Sequence, residues 1–420
     1  MNKKLKIGII GLGTVGCGTV KVLNNFPDIE IVSVCVKNLK KERPVKVNNL
    51  TDDPYDIVAN PNVDVVVEVA GGLEVKDYLI CALQNGKHIV TANKELLAKH
   101  GPELFDHARK NGVTILYEAS VAGGIPIILP IKTSLCANKF ESVQGILNGT
   151  TNYILTKMDE ENLSYEDCLL KAQQLGFAET DPTGDVEGFD AMYKIAILAS
   201  IVFKKDIDLS KIYCEGITKI TQDDIKIADE LGYKIKLIAM AKQAQMQNNS
   251  VLDIRVHPMF VSKTKSISDI KNATNAVVLN GFPVNKVMFS GPGAGEFPTA
   301  SSVVGDILTL KSEIENANVL PMTLNYNQDK AYQIDIKDTI NCYYLSINAL
   351  NEPGEIGRIG YELGRNGINI SCIIQKGVCS DGTAKVIVIT EETFERDVDK
   401  MIETLEENGV TKVVNKIRLM

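Results

Sequence analysis

The first 130 residues alternate short apolar runs with longer segments of mixed polarity. The runs are almost uninterrupted in KIGII, EIVSVCV, VDVVVEV, HIV and VTIL. Such runs are typical of strands buried on both faces of a parallel sheet, and the segments between them are long enough for crossover helices. Because crossovers of this kind are right-handed, the pattern predicts an α/β fold that begins with a doubly wound parallel sheet over residues 1–130.

Three glycines follow the first predicted strand at the spacing Gly11-x-Gly13-x-x-Gly16. Glycines at this spacing allow a tight turn, close approach of a pyrophosphate to the backbone, and close packing of the next helix. Since the motif lies between a strand and a helix, and a second strand follows, it indicates a Rossmann-like dinucleotide-binding domain. The predicted cofactor contacts here and at the carboxyl ends of later strands are Gly11, Gly13, Thr14, Val15, Gly16, Ala70, Gly71 and Lys94.

A basic cluster follows the second predicted strand. Where NAD-binding domains place an Asp or Glu for the ribose 2′-hydroxyl, this chain reads VKNLKK over residues 36–41. A lysine suits a 2′-phosphate better, so we predict NADP as the cofactor and Lys37 as a contact. NAD is the alternative, because the lysines of this cluster can also be plain solvated residues.

From residue 131 the pattern changes to helices around a strand that ends at Asn148-Gly149, which predicts an α+β catalytic and dimerisation domain over residues 131–295. Its densest charge is the stretch ETDPTGDVEGFDAMYK, residues 179–194, which precedes the apolar run IAILASIVF. Asp190 and Lys194 are four residues apart on a predicted helix and therefore share one face. One reading is an ordinary surface pair. The other is a partly enclosed lysine that protonates a developing alkoxide.

The last part of the chain predicts a small module. The segment GPGAGEFPTASSVVGDIL predicts a helix at about residues 296–315 that returns to the nucleotide-binding domain, and residues 316–340 are polar enough for a linker. Residues 341–420 then follow the order βαββαβ, which is the ferredoxin-like plan.

Composition excludes several classes of function. The chain has 420 residues and a net charge of −8, and its lysines are scattered, so nucleic acid is not an expected partner. No apolar run approaches the length of a membrane span. The nine cysteines form no metal or disulfide framework spacing, and the four histidines complete no zinc set. We therefore expect a cytoplasmic protein with reduced thiols.

Six ordered motifs resemble homoserine dehydrogenases between residue 5 and about residue 320. They are GLGTVG, GKHIVTANK, YEASVAGGIP, GILNGTTNYI, GFAETDPTGDVEGFDAMYK and GPGAGEFPTASSVVGD. The C-terminal motif NEPGEIGRIGYELGRNGINISCIIQ resembles an ACT domain, a module that commonly binds amino acids. The resemblance implies reversible, nicotinamide-dependent reduction of L-aspartate 4-semialdehyde to L-homoserine, a step in threonine, methionine and isoleucine biosynthesis.

The resemblance also implies roles for individual residues. The catalytic lysine falls on Lys194, with Asp190 in support and Lys94 as a second functional lysine. Two neighbouring positions depart from the common family pattern, Tyr193 and Glu187, and neither departure removes a proton donor or a substrate carboxylate. The implied substrate-binding residues are Gly149, Thr150, Glu179 and Asp185. The implied monovalent cation, sodium in most relatives, is held largely by backbone oxygens that fall on Glu118, Val121, Gly123 and Ile125.

Several alternatives stay open at this point. The ACT-like module either binds L-threonine near residues 351–356 and lowers activity, or serves dimerisation without a ligand. A homodimer is expected, because closed twofold pairs are the commonest assembly, and a homotetramer is the alternative. A nucleotide-binding sensor without turnover, or a dehydrogenase of another amino-acid semialdehyde or of a hydroxy acid, would share most of these features.

Overall fold

A computed structural model describes residues 4–246, 249–316, 329–378, 382–407, 409 and 411–420. Two compact units are interleaved along the chain. The first unit comprises Met1–Gly149, Asp190–Ser210 and Ala273–Ala331, and the second comprises Thr150–Phe189, Lys211–Asn272 and Tyr332–Met420. Most of the predicted linker, residues 317–328, lies outside the described residues.

The strands and helices follow one another in mixed order. The strands are β1 Leu5–Ile10, β2 Ile29–Cys35, β3 Leu50–Thr51, β4 Val65–Glu68, β5 His88–Thr91, β6 Ile115–Leu116, β7 Lys139–Ile146, β8 Tyr213–Cys214, β9 Tyr233–Met246, β10 Asn249–Ser262, β11 Thr274–Phe282, β12 Asn285–Pro292, β13 Ile340–Asn341, β14 Tyr343–Ala349, β15 Ile370–Val378, β16 Ala384–Thr390, β17 Thr393–Phe394 and β18 Lys412–Leu419. The α-helices are α1 Thr14–Leu23, α2 Tyr55–Val58, α3 Lys76–Gln84, α4 Lys94–Lys110, α5 Ile128–Lys132, α6 Gly149–Glu161, α7 Tyr165–Gln174, α8 Thr183–Val186, α9 Phe189–Phe203, α10 Gln222–Glu230, α11 Glu296–Asn316, α12 Glu355–Arg365 and α13 Glu395–Glu406. Short 3₁₀ turns occupy Glu118–Ser120, Leu209–Lys211, Ser266–Asp269 and Ile336–Asp338.

The first unit is built on a parallel sheet of six strands in the order β3-β2-β1-β4-β5-β6. The two central strands, β1 and β4, are buried except at Lys6, as the nearly uninterrupted apolar runs predict. The α/β fold with an N-terminal parallel, Rossmann-like sheet is therefore confirmed. Helix α11 closes the same core from far along the chain, because Val303, Val304, Ile307 and Leu310 pack with the residues of β1 and α1.

Three further strands of the first unit form an antiparallel group in the order β12-β11-β7. Strand β7 ends at Ile146, and helix α6 begins three residues later at Gly149. This strand-to-helix junction brings the polar residues after β7 close to helix α9 of the same unit.

The second unit contains the long antiparallel pair β9 and β10, with β8 against β10. Strand β10 also pairs in parallel with β18, which continues into an antiparallel group in the order β18-β14-β16-β15. From β14 onward the main elements run in the order βαββαβ. The core of this segment is apolar and includes Tyr343, Leu345 and Met401.

A short pair of strands precedes the last helix. Thr393 and Phe394 pair with Ile340 and Asn341 as β17 and β13, and helix α13 begins directly afterwards at Glu395. Among the described helices, none is both long and apolar enough to cross a bilayer.

Candidate active site

Lys94 is the first residue of helix α4, directly after the carboxyl end of strand β5. Asn93 caps this helix, since its side-chain oxygen accepts a hydrogen bond from the Leu96 N–H at 3.1 Å. The cap fixes where α4 begins and therefore where Lys94 leaves the backbone. The Lys94 side chain is about half exposed, whereas its ion-pair partner, Asp190 on α9, is buried.

Asp190 and Lys194 lie one turn apart on helix α9, and both are buried, at 7% and 8% exposure. The Lys194 Nζ lies 2.6 Å from Asp190 Oδ2, and the Lys94 Nζ lies 2.6 Å from Asp190 Oδ1. The interpretation as an ordinary surface pair is wrong, because both side chains are buried. We refer to Lys94, Asp190 and Lys194 as the Asp190 cluster.

Three groups that the sequence did not single out complete this cluster. The Asn148 side-chain amide donates to Asp190 Oδ2 at 2.9 Å, and Lys194 Nζ donates to the Leu147 carbonyl oxygen at 2.8 Å. The buried Asn275 donates to the same Leu147 oxygen at 3.0 Å. The available signal for Asn148 was its place between the end of β7 at Ile146 and the start of α6 at Gly149.

The electrostatics of the cluster favour its charged form. Burial alone raises the pKa of Asp190, but the ammonium groups of Lys194 and Lys94 outweigh it and hold that pKa below its ordinary value. The carboxylate therefore stays ionised between two ammonium groups. Such an arrangement fixes the position of both lysines and supplies proton donors for an oxygen that gathers negative charge.

The glycine motif has the geometry that a bound dinucleotide requires. Gly11 has φ +102°, and a Cβ there would lie 2.6 Å from the Ala70 backbone nitrogen. A Cβ on Gly16 would lie 2.3 Å from the Gly11 carbonyl oxygen, whereas Gly13 faces open space. Gly13 is the N-cap of helix α1, and Thr14 and Val15 open its first turn. The exposed helix N-terminus at Gly13 therefore fits a pyrophosphate.

The loop after β4 is held by a buried acid, Glu68. The backbone N–H groups of Ala70 and Gly71 both donate to Glu68 Oε1 at 2.9 Å, and Thr91 Oγ1 donates to Oε2 at 2.6 Å. Burial raises the pKa of Glu68. The N–H groups of the two predicted cofactor contacts are thus used within the protein, and Glu68 joins the ends of β4 and β5.

Lys37 follows β2 as predicted, and its side chain is highly exposed. Its Nζ lies 2.8 Å from Glu74 Oε1, a residue of the loop after β4. The hydrogen bond to Glu74 raises the pKa of Lys37. Any anion that binds Lys37 must therefore compete with this carboxylate.

The residues predicted for a cation lie around the short helical turn after β6. The Glu118 carboxylate accepts hydrogen bonds from the backbone N–H groups of residues 127, 128 and 129. Its carboxylate is therefore engaged, which fits a site made of backbone oxygens. Gly123 has φ +51°, and a Cβ there would lie 2.4 Å from the Gly293 carbonyl oxygen. Val121 and Ile125 flank this bend and are buried.

Helix α11 supports the same loop. Asp306 Oδ2 accepts a hydrogen bond from the Glu118 N–H at 2.9 Å, and Ser302 Oγ donates to the Gly123 carbonyl oxygen at 2.7 Å. Burial, together with the neighbouring Glu118 carboxylate, raises the pKa of Asp306 to about 8. Among the described residues, no group of three or more His, Cys, Asp and Glu side chains could hold a metal ion.

The predicted substrate-binding residues divide between the units. Gly149 closes the first unit, and a Cβ there would lie 2.8 Å from the Ala273 carbonyl oxygen. Thr150 is buried in the second unit, where its hydroxyl donates to the Phe177 carbonyl oxygen at 2.6 Å. Glu179 is exposed in the acidic stretch of that unit, and Asp185 is half-buried on the short helix α8.

The turn predicted to bind an amino-acid effector borders a cavity of about 300 Å³ within the second unit. Its lining includes Asn351, Glu352, Ile356 and Gln375. Polar groups from a strand and a turn therefore face a space large enough for an amino acid.

Comparisons with known proteins agree on one family. A family model described as homoserine dehydrogenase matches residues 126–308, and one described as homoserine dehydrogenase, NAD binding domain, matches residues 11–118. The homoserine dehydrogenases of Synechocystis sp. and Bacillus subtilis are each 39% identical to this chain, over 99% and 98% of it and over 99% and 97% of their own lengths. The crystal structure of a homoserine dehydrogenase from Thiobacillus denitrificans has a TM-score of 0.92 and 36% identity, covering 100% of this chain and 98% of that one.

Proposed function

Because the chain belongs to the homoserine dehydrogenases, a family of NAD(P)-dependent oxidoreductases, we propose that it reduces L-aspartate 4-semialdehyde to L-homoserine at the Asp190 cluster. The observation that carries this proposal is the buried carboxylate between two lysines, each 2.6 Å away. The reaction is reversible and serves threonine, methionine and isoleucine biosynthesis.

The residues of the cluster have distinct proposed roles. The nicotinamide cofactor supplies the hydride when it is bound. Lys194 then protonates the substrate oxygen, and Lys94 stabilises the charge that gathers there. Asp190 holds both ammonium groups in place, and Asn148 orients Asp190. Glu179 and Asp185 bind the substrate ammonium, and Gly149 and Thr150 help to position the substrate.

We propose NADP as the preferred cofactor, with NAD as the alternative. Gly11, Gly13 and Gly16 with the N-terminus of α1 hold the pyrophosphate, and Lys37 binds the 2′-phosphate. The absence of an acid at the end of β2 supports this choice. The exposed ion pair between Lys37 and Glu74 limits how strongly Lys37 binds the 2′-phosphate.

The proposed substrate and cofactor are tested by one assay. Reduction of NADP⁺ and, separately, of NAD⁺ is followed by absorbance with L-homoserine as the only reductant, at alkaline pH. The expected result is turnover with both cofactors and a higher kcat/KM for NADP⁺. Cofactor binding without turnover would instead favour the nucleotide-binding sensor, and turnover with another hydroxy amino acid would favour a different semialdehyde.

A monovalent cation, sodium by analogy with the family, is proposed for the loop at Glu118, Val121, Gly123 and Ile125. The positive φ of Gly123 bends this loop, and helix α11 supports the loop through Asp306 and Ser302. The cation would hold this loop in one conformation.

We also propose that the C-terminal segment is an ACT module that binds L-threonine and lowers activity. The βαββαβ order and the cavity at Asn351 support this proposal. In calorimetry, L-threonine is expected to bind and D-threonine is not, and Asn351→Ala is expected to lose both binding and inhibition. A module that serves dimerisation alone would show no heat with either enantiomer.

Assembly and location complete the proposal. We propose a homodimer, because closed twofold pairs are the commonest assembly, or a homotetramer if C-terminal modules pair across dimers. Light scattering after gel filtration measures the number of chains in the assembly. The described cysteines are thiols without a disulfide partner, which supports a cytoplasmic location.

A further inference from the structure

A cavity of about 180 Å³ lies in the second unit, between helix α6, helix α10, strand β9 and the segment after β10. Its most unusual feature is its charge. Its lining contains four lysines and only two acids, which are Asp159 and Asp269. The four lysines are Lys234, Lys236, Lys263 and Lys271.

Lys236 forms the buried end of this cavity and is only 4% exposed. Its Nζ donates to the Ile270 carbonyl oxygen at 2.6 Å and to Asn152 Oδ1 at 3.1 Å. Both acceptors are neutral, and within the described part of the chain no carboxylate lies at ion-pair distance from this Nζ. An ammonium group carries three N–H donors, so one donor remains for a ligand.

Burial lowers the pKa of Lys236 to about 8, so the side chain is still mostly protonated at neutral pH. A buried charge without an opposite charge is costly, and an anion beside it would offset that cost. The acids that line or surround the cavity do not fill this role. Both Asp159 oxygens lie within 2.8 Å of Lys234 Nζ.

The rim lysines pair with acids that do not line the cavity. Lys263 bonds to Asp229, and Lys271 lies 2.7 Å from Glu160, while Asp269 is exposed at the mouth. Part of the cavity wall is fixed by hydrogen bonds within the protein. The Asn152 side chain that accepts from Lys236 is itself held in place, because its Nδ2 donates to the carbonyl oxygens of residues 270 and 272.

We propose that this cavity binds a small tetrahedral oxyanion of the phosphate type, with Lys236 at its closed end and Lys271 at its mouth. The space holds several water-sized groups, which suits one oxyanion or a small phosphate monoester. The buried hydroxyl-bearing residue Ser268 adds a neutral hydrogen-bonding group to the lining. No step of the proposed reaction uses these residues.

Calorimetry with the full-length protein and inorganic phosphate, at constant ionic strength set with chloride, tests the proposal. One site per chain is expected, and Lys236→Met, which keeps the length of the side chain without its charge, is expected to raise Kd at least about tenfold. Lys226→Met is the matched control, because Lys226 is an exposed lysine on α10 beside the cavity residue Ile225. It is expected to leave Kd unchanged.

Lys271→Glu at the mouth provides a second variant if Lys236→Met does not fold, and it is expected to weaken binding several-fold. Glycerol phosphate distinguishes the source of the ligand: tighter binding than inorganic phosphate indicates a monoester, and binding of inorganic phosphate alone indicates the free ion. No binding to the natural protein, or equal binding by all variants, would overturn the proposal.

Discussion

Replacement of Asp190 by Asn tests the electrostatic reasoning most sharply, because it removes one charge and keeps the shape. The variant leaves Lys194 as a buried ammonium group whose carboxylate partner at 2.6 Å is gone. Loss of one partner of a buried ion pair costs about 3 to 5 kcal/mol. In a domain of about 150 to 250 residues, each kcal/mol lowers Tm by about 2 to 4 °C, so a fall of about 6 to 20 °C is expected.

The same variant should change the pH dependence of turnover in the direction of reduction, which needs Lys194 protonated. A carboxylate and an ammonium group in contact each favour the charged form of the other, so without the Asp190 charge the loss of activity toward high pH is expected to begin at lower pH than in the natural protein. The misplaced lysines are expected to lower kcat by about 100-fold. Asp106→Asn is the matched control, since Asp106 and Lys110 form an exposed pair with the same spacing on α4.

The assays are thermal unfolding and the pH profile of kcat for both variants. Asp106→Asn should leave both unchanged. Asp190→Asn with an unchanged Tm and an unchanged pH profile would refute the reasoning, because the carboxylate would then neither stabilise the fold nor hold the lysine proton.

Three further predictions concern other sites. Glu74→Gln frees Lys37 and should lower KM for NADP⁺ by up to about fivefold without changing KM for NAD⁺; equal changes for both cofactors would argue against a 2′-phosphate contact. Burial raises the pKa of Glu395, but Arg418 and Lys416 lower it to about 2, so its stabilisation is present above about pH 4.5 and lost as the pH falls toward 2. The urea midpoint of unfolding should therefore depend less on pH between about 4.5 and 2 in Glu395→Gln than in the natural protein. An unchanged pH dependence would contradict the pairing of Glu395 with Arg418 and Lys416. Gly123→Ala should strain the loop by about 1 to 2 kcal/mol and raise the sodium concentration for half-maximal activity by about tenfold, whereas an unchanged sodium titration would place the cation elsewhere.

The sequence predicts those parts of the fold that are determined by residues close together in the chain. Buried strands read as uninterrupted apolar runs, the glycines of the first turn have a fixed spacing, and residues four apart share a helix face. The sheet of the first unit, the turn at Gly11 and the pairing of Asp190 with Lys194 follow from these local rules.

The parts that the sequence did not predict depend on contacts between distant segments. Asn275 reaches the Leu147 oxygen across 128 positions of the chain, and Lys37 meets Glu74 only because two loops end at the same edge of the sheet. The burial of Lys236 also depends on distant segments. The alternation of lysines with apolar residues at the start of β9 does not show that α6 covers this one.

The central claim is that Lys194, held by Asp190, is the proton donor of a homoserine dehydrogenase. The most direct measurement is kcat for L-homoserine-dependent NADP⁺ reduction by the natural protein and by Lys194→Met, with cofactor binding measured in parallel by fluorescence. Turnover by the natural protein, and a loss of at least about 100-fold in the variant with unchanged cofactor affinity, is the predicted result. A variant that keeps near-natural kcat, or a natural protein that does not turn over L-homoserine, would contradict it.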